Sequence, residues 1–300
     1  MKQFVKTVLI ILFFHAATGM GFAERKAKHV IFIGLDGWGS YSFEKAEMPN
    51  IKKLAEDGAY TLRKRSVLPS SSAVNWASMF MGAGPELHGY TEWGSKTPEL
   101  LSRVTGKNNI FPTVFQLFRD KYPDAETGCI YDWEGIKYLV DTLSLNYCEQ
   151  SPDYNVVPEG LRDMAVRYIT GKKPDFAAII FDEPDHVGHG AGHDTPEYYA
   201  TLTRLDGYVG KIIEAVKMAG FYDETIFIIT SDHGGTGKGH GGKTMLEMET
   251  PFIISGKNVR KGLLFDESMM QFDIAATIAC IFDLPQPQVW IGRPMIQVFK

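Results

Sequence analysis

Three serines, Ser70, Ser71 and Ser72, stand in a turn beside Pro69, just before an apolar segment, with Asn75 three residues beyond the last of them. A hydroxyl presented at such a turn becomes a nucleophile once something removes its proton. Without that help, serines beside a proline are turn residues or helix caps. Three distant segments supply groups able to do the activating: Asp36, the run from Asp182 to His189, and Asp232-His233 with His240. Five of the eight histidines fall between residues 186 and 240, which concentrates imidazole next to two of these carboxylate segments. Asp185 and His189 are four apart, so on a helical turn they share a face and can hold one cation together. Aspartate, histidine and a hydroxyl suit Zn²⁺ or, less tightly, Mn²⁺. Oxygen-loving Ca²⁺ would not favour so much imidazole.

Apolar runs position these residues. Val30-Ile-Phe-Ile-Gly-Leu35 ends at Asp36, Phe176-Ala-Ala-Ile-Ile-Phe181 runs into Asp182 to Asp185, and Ile226-Phe-Ile-Ile-Thr230 into Ser231-Asp232. Each reads as a strand buried on both faces. Thr127 to Tyr131 and Pro251 to Ile254 are expected to add two more strands. Helical patterns fall between them at 48–58, 76–82, 111–119, 161–169, 196–219 and 272–282. Residues 135–158 carry no clear period and read as loop. The alternation predicts an α/β fold with a mainly parallel central sheet and helices on both faces. In such sheets the ligand crevice lies beyond the carboxyl ends of the strands, so one architecture would bring the three aspartate segments together. The helix after the serine turn would set Ser72 near a helix N-terminus, where partial positive charge favours an anion.

Bulk properties bound the partners. With 31 basic and 36 acidic residues the net charge is -5, which provides no basic patch for nucleic acid. Residues 1–23 have the layout of an export signal: Lys2 and Lys6, an apolar run from Val8 to Phe14, and a small-residue cleavage site ending at Ala23. The expectation is a periplasmic or extracellular protein with a single catalytic domain over residues 24–300. No later segment is long and apolar enough to span a membrane. Cys129, Cys148 and Cys280 are an odd set read as structural, with pairing of Cys129 and Cys148 left open.

Ile33-Gly-Leu-Asp-Gly37, Met48-Pro-Asn-Ile51, Pro69 to Asn75, His88-Gly89, Glu183-Pro-Asp-His-Val-Gly-His189 and Ser231-Asp-His-Gly234 occur in one order along most of the chain. On these pieces the chain resembles the alkaline phosphatase superfamily, most closely a compact form of its nucleotide pyrophosphatase/phosphodiesterase branch. The resemblance implies two divalent ions, Zn²⁺ foremost, with Asp36, Ser72, Asp232 and His233 around one and Asp185, His189 and a third histidine around the other. In the family pattern the nucleophile precedes an asparagine by three, which selects Ser72 and makes Asn75 a donor to phosphate oxygens. The third histidine normally comes much later; none follows His240 here, so His240 takes that place. The implied reaction is hydrolysis of a small-molecule phosphodiester through a phosphoserine, with metal-activated Ser72 attacking phosphorus. Two ions against three aspartates leave about +1 for phosphate charge. A phosphomonoesterase on the same core is the alternative. A sulfatase fits less well, because no cysteine or arginine accompanies the serines, and a non-catalytic metal-binding protein stands outside the enzyme class.

Overall fold

The computed structural model describes residues 25–153 and 155–300, so the segment read as an export signal lies outside the described residues. The chain enters with β1 (His29–Asp36), buried along its whole length. Next come α1 (Pro49–Glu56), β2 (Gly58–Arg65), α2 (Ser72–Met81) and the single turn α3 (Pro85–His88). The middle holds α4 (Val114–Lys121), β3 (Thr127–Tyr131) and β4 (Tyr147–Gln150). Then follow α5 (Gly160–Lys172), β5 (Phe176–Pro184), α6 (Asp185–Ala191), α7 (Pro196–Met218) and β6 (Thr225–Thr230). The last elements are α8 (Met245–Met248), β7 (Glu249–Gly256), β8 (Leu263–Leu264) and α9 (Asp273–Ile281).

The strands make one sheet in the order β4-β3-β5-β1-β6-β7-β2-β8. β1 lies at the centre, parallel to β5 on one side and β6 on the other. β7 is antiparallel to both of its neighbours, and every other pairing among the described strands is parallel. Strand alternation sends Val30 and Phe32 to one face of the sheet and Ile31, Ile33 and Leu35 to the other. On the first face α2, α4 and α9 contribute Trp76, Phe115, Phe118 and Ile278; on the second α1, α5 and α7 contribute Leu54, Ile169, Leu205 and Val209. The expected parallel sheet with helices on both faces is therefore what forms.

Several elements depart from the sequence reading. β2, with the sequence GAYTLRKR, has no apolar run because its outer positions reach solvent, and its pairing with β7 is what makes it a strand. The stretch expected as loop holds two single 3₁₀ turns and the edge strand β4, whose residues are half-buried or exposed and so carry little pattern. α2 starts at Ser72, four residues earlier than expected, with Ser71 extended at its N-cap and making no side-chain cap bond. Cys129 and Cys148 are register partners on β3 and β4, and both thiols are free.

Candidate metal centre and nucleophile

Because β5, β1 and β6 are adjacent and parallel, their carboxyl ends open on one edge of the sheet. Asp36 is the last residue of β1, Asp185 opens α6 directly after β5, and Asp232 lies two residues beyond β6. Gly37 turns the chain away at φ +71°, and a Cβ there would sit 2.6 Å from Asp185 Oδ1, so only glycine lets the two strand ends approach. Its N–H donates to Asp232 Oδ1 at 3.2 Å, and Trp38 N–H donates to Ser231 Oγ at 2.8 Å. These two bonds clamp the end of β1 to the end of β6. Ser72, in the first turn of α2, brings its Oγ to 3.2 Å from His233 Nε2 and 3.5 Å from Asp36 Oδ1.

Four histidines surround the carboxylates with a common orientation. Nδ1 of His189, His193, His233 and His240 faces the backbone oxygen of Lys238, Gly237, Gly234 and Ser70 respectively, at 2.8 to 3.2 Å. A carbonyl oxygen only accepts, so Nδ1 carries hydrogen and Nε2 is aimed inward. His189 Nε2 lies 3.0 Å and His240 Nε2 3.6 Å from Asp185 Oδ2; His233 Nε2 lies 3.3 Å from Asp232 Oδ2 and 3.4 Å from Asp36 Oδ1. Backbone carbonyls holding the far nitrogen of an imidazole are the usual second layer of a metal site.

The electrostatics fit cations. Burial, then the charges of Asp232 and Asp185, push the Asp36 carboxyl well above its ordinary range. Burial and Asp185 push Asp232 up to about 7. Burial lowers His233, and together with His233 lowers His240 to about 4, so both present bare Nε2 lone pairs near neutrality. Burial works against Asp185 as well, but hydrogen bonds from His189 and His193 outweigh it and hold its carboxyl far below the usual range. The same bond to Asp185 raises His189 to about 9. Asp232 Oδ2 is buried with no hydrogen-bond partner, facing the unprotonated nitrogen of His233. Two acceptors in that position repel unless a cation lies between them. Ligand atoms of Asp185, His189 and His240 converge within 4.8 Å, as do those of Asp36, Asp185 and His233.

The structure gathers Asp36, Asp185, His189, His233 and His240 in these two groups, with Asp185 rather than Asp232 completing the second and with Asp232 and Ser72 each beside His233, but it corrects Asn75. That side chain is fully buried: Oδ1 accepts from Val67 N–H at 2.7 Å, and Nδ2 lies within 3.0 to 3.3 Å of the carbonyls of Ser71, Pro69 and Val67. It braces the serine turn and has no donor left for a phosphate oxygen. Trp76, buried in the core, also orients Asp36, donating from Nε1 to Oδ2 at 2.9 Å. His193 backs Asp185, its Nε2 3.2 Å from Oδ1. Lys64, buried on β2, donates to Ser231 O at 2.8 Å and to Gln271 Oε1, while Gln271 Nε2 donates to the Asp232 carbonyl. Sequence spacing carries no trace of these last contacts, because the partners are 167 and 39 residues apart.

A cavity of about 730 Å³ opens beside the centre, between the serine turn and the His240 loop, with Pro69, Ser71, Glu92, Trp93, His189 and His240 in its wall. No helix among the described residues is long and apolar enough to cross a membrane.

The sheet and the residues gathered at its edge form an alkaline-phosphatase-like core, and comparison with known proteins gives the family. The family model for type I phosphodiesterase / nucleotide pyrophosphatase matches residues 30–260, and the chain belongs to that family. Venom phosphodiesterase 2 of Crotalus adamanteus is 26% identical over 216 residues, covering 68% of this chain and 26% of that protein. The bis(5'-adenosyl)-triphosphatase enpp4 of Mus musculus is 22% identical over 239 residues, covering 77% of this chain and 52% of that protein. The chain thus spans about a quarter of the first relative's length and about half of the second's. Among solved structures, murine ectonucleotide pyrophosphatase / phosphodiesterase 5 superposes with a TM-score of 0.71 at 14% identity, covering 90% of this chain and 98% of that chain. A 2-O GAG sulfatase gives 0.73 at 15% identity, covering 91% and 74%. At these identities the likeness shows the shared fold, which hosts more than one ester chemistry.

Proposed function

We propose that residues 24–300 are one exported catalytic domain that hydrolyses small-molecule phosphodiesters, with Ser72 as the nucleophile. The observation that carries this reading is the position of Ser72 Oγ, uncapped at the start of α2 and within 3.5 Å of both His233 Nε2 and Asp36 Oδ1. Asp36, Asp232 and His233 would hold one divalent ion beside that hydroxyl, and Asp185, His189 and His240 a second. Zn²⁺ suits this donor set best and Mn²⁺ next. When bound, such ions supply Lewis-acid charge that lowers the pKa of a coordinated hydroxyl or water and neutralises phosphate oxygens. The chain's own part is to orient and to exclude alternatives. Ser72 Oγ forms the new bond to phosphorus while one ester oxygen leaves, and water then cleaves the phosphoserine to restore the hydroxyl. Asp36, fixed by Trp76, accepts the Ser72 hydrogen bond and keeps Oγ facing the crevice. The start of the ten-residue α2 adds its partial positive charge where the phosphate would sit.

The test is turnover of bis-p-nitrophenyl phosphate against p-nitrophenyl phosphate by zinc-loaded protein, with elemental analysis alongside. We expect about two ions per chain, a preference for the diester, and a loss of at least about a thousandfold in kcat for Ser72→Ala with metal content retained. Preference for the monoester by orders of magnitude would establish the phosphomonoesterase reading instead. Metal content unchanged by Ser72→Ala together with no turnover in either protein would point to a binding protein.

A further inference from the structure

Away from the centre, the far edge of the sheet carries two thiols side by side. Cys129 on β3 and Cys148 on β4 are register partners in a parallel pairing, and both side chains pack into the apolar face covered by α2, α4 and α9. Hydrogen-bonded strands run about 4.8 Å apart, inside the span of about 4.4 to 6.8 Å over which two Cα atoms accept a disulfide. The two side chains leave one face at one register position, so the sulfurs share the same small volume. They are close enough for an ionised Cys148 to disfavour ionisation of Cys129. The third cysteine, Cys280, stands apart on α9, with Lys26 and Asp283 as its charged neighbours.

The position is one where a covalent tie has something to hold. β4 is four residues long, lies at the sheet edge and pairs only with β3 among the described strands. The chain reaches it through two 3₁₀ turns, Glu134–Tyr138 and Thr142–Ser144. Its far end is wired toward the centre. Ser151 N–H donates to Tyr131 O at 2.8 Å and Gln150 Nε2 to Asp132 O at 2.8 Å. Asp132 in turn accepts from Asp182 N–H at 3.3 Å, three residues before Asp185. A short edge strand held by backbone bonds alone opens easily, and its opening would release those contacts.

We propose that Cys129 and Cys148 become joined by a disulfide when the protein folds in the presence of a disulfide oxidant, tying β4 to β3. The Cys148 thiolate, from the more exposed of the two residues, attacks one sulfur of the oxidant and releases one oxidant thiolate. The Cys129 thiolate then attacks Cys148 Sγ, forms the Sγ–Sγ bond and releases the second. The cysteines give up two protons and two electrons, and the electrons reduce one oxidant disulfide to two thiols. Burial raises Cys148 to about 11 and Cys129 well above the ordinary thiol range, so the folded chain holds few thiolates near neutrality. The bond therefore forms during folding, before the helices cover β3. For its occurrence in the cell the inference rests on the export reading above, since a reducing compartment keeps both thiols; its chemistry can be measured without that reading.

The full chain, denatured and reduced, is refolded with glutathione and glutathione disulfide, then denatured, alkylated and mapped by mass spectrometry. We expect a monomer lighter by two hydrogens, alkylation of Cys280 alone, and one linked peptide pair carrying Cys129 and Cys148. Alkylation of all three cysteines, or a link through Cys280, would overturn the proposal. The linked protein should melt about 5 °C or more above protein refolded with thiol reductant alone, with slower amide exchange at 147–150. Cys148→Ser, which leaves the backbone pairing of β4 intact, should show the lower Tm under both conditions. Equal Tm and equal exchange in linked and reduced protein would also sink the tie. Thiol trapping on protein taken directly from the producing cells gives the last arm. A link in exported chain upholds both readings. A link on refolding, but free thiols in cells on chain still beginning at Met1, upholds the disulfide and fails the export reading. Exported chain lacking residues 1–23 with both thiols free rejects the disulfide and leaves export standing.

Discussion

Asp232 carries a cost in the metal-free fold that the proposed ligand set would offset. Its Oδ1 is held by Gly37 N–H, but Oδ2 is buried against the bare Nε2 of His233. Burial and Asp185 raise its carboxyl to about 7 from an unfolded value near 4. A raised carboxyl means that the folded chain binds the proton more tightly than the unfolded one. In the metal-free protein, stability from this group is therefore present at acid pH and lost as pH rises through about 7. Asp232→Asn keeps the bond from Gly37 and turns an amide N–H toward His233. We expect it to raise the Tm of chelator-treated protein by about 3 °C or more at pH 8, with a smaller gain at pH 5, and to weaken metal binding by about tenfold or more. Calorimetry and metal titration on one preparation measure both effects. An unchanged metal affinity would remove Asp232 from the ligand set. Trp76→Phe removes the bond to Asp36 together with part of the buried indole, and is expected to weaken metal binding by about tenfold with the nucleophile in place.

At the scale of elements, β1 and α2 must touch for Trp76 to reach Asp36, and Gly34 is what permits it. A Cβ at Gly34 would fall 2.3 Å from Trp76 Cη2 and 3.0 Å from Ile180 Cδ1. Gly34→Ala is expected to cost about 1–3 kcal/mol by overpacking and to lower metal affinity as the indole is displaced. Adding Trp76→Phe should recover stability without recovering affinity, because the smaller ring relieves the clash and still lacks the N–H. Recovery of both would show that Trp76 acts only by packing. The buried strands were legible from their apolar runs, since a strand covered on both faces needs no alternation. β2 was not, because its register with β7 buries Lys64 in a run of charges that reads as surface.

For the whole molecule, the convergence of buried carboxylates and imidazoles at one sheet edge would couple the stability of the fold to the ions proposed for it. Removing bound ions with a chelator is expected to lower Tm, and adding Zn²⁺ in excess of Kd to raise it by an amount that grows with the logarithm of concentration. A Tm indifferent to both would rule out a structural role for the centre. Acid has a separate route through His88, which links the Ser78 hydroxyl of α2 to Tyr90 N–H and is buried. Burial pushes this imidazole down to about 3, below the unfolded value near 6.5. Its contribution is full above pH 6.5 and is lost as pH falls, by at most about 1.4 kcal/mol per pH unit. His88→Gln, which can still donate to one partner and accept from the other, should flatten the fall in Tm between pH 6.5 and 4. An equal slope in both proteins would place the acid sensitivity elsewhere.

The sequence by itself determined that three apolar strands end in aspartates, that imidazoles cluster beside two of them, and that a serine turn precedes a helix. Burial, helical spacing and strand termination are local properties, and local pattern records them. Only the tertiary structure decided how those groups face one another. It turned Asn75 from a phosphate donor into a brace, made Trp76 and His193 orienting residues, and set β7 against its neighbours. Each of those outcomes depends on pairings between distant segments, such as the β1 and β6 ends joined by Gly37 and Asp232 across 195 residues, and no periodicity along the chain encodes which carbonyl or carboxylate a side chain will meet.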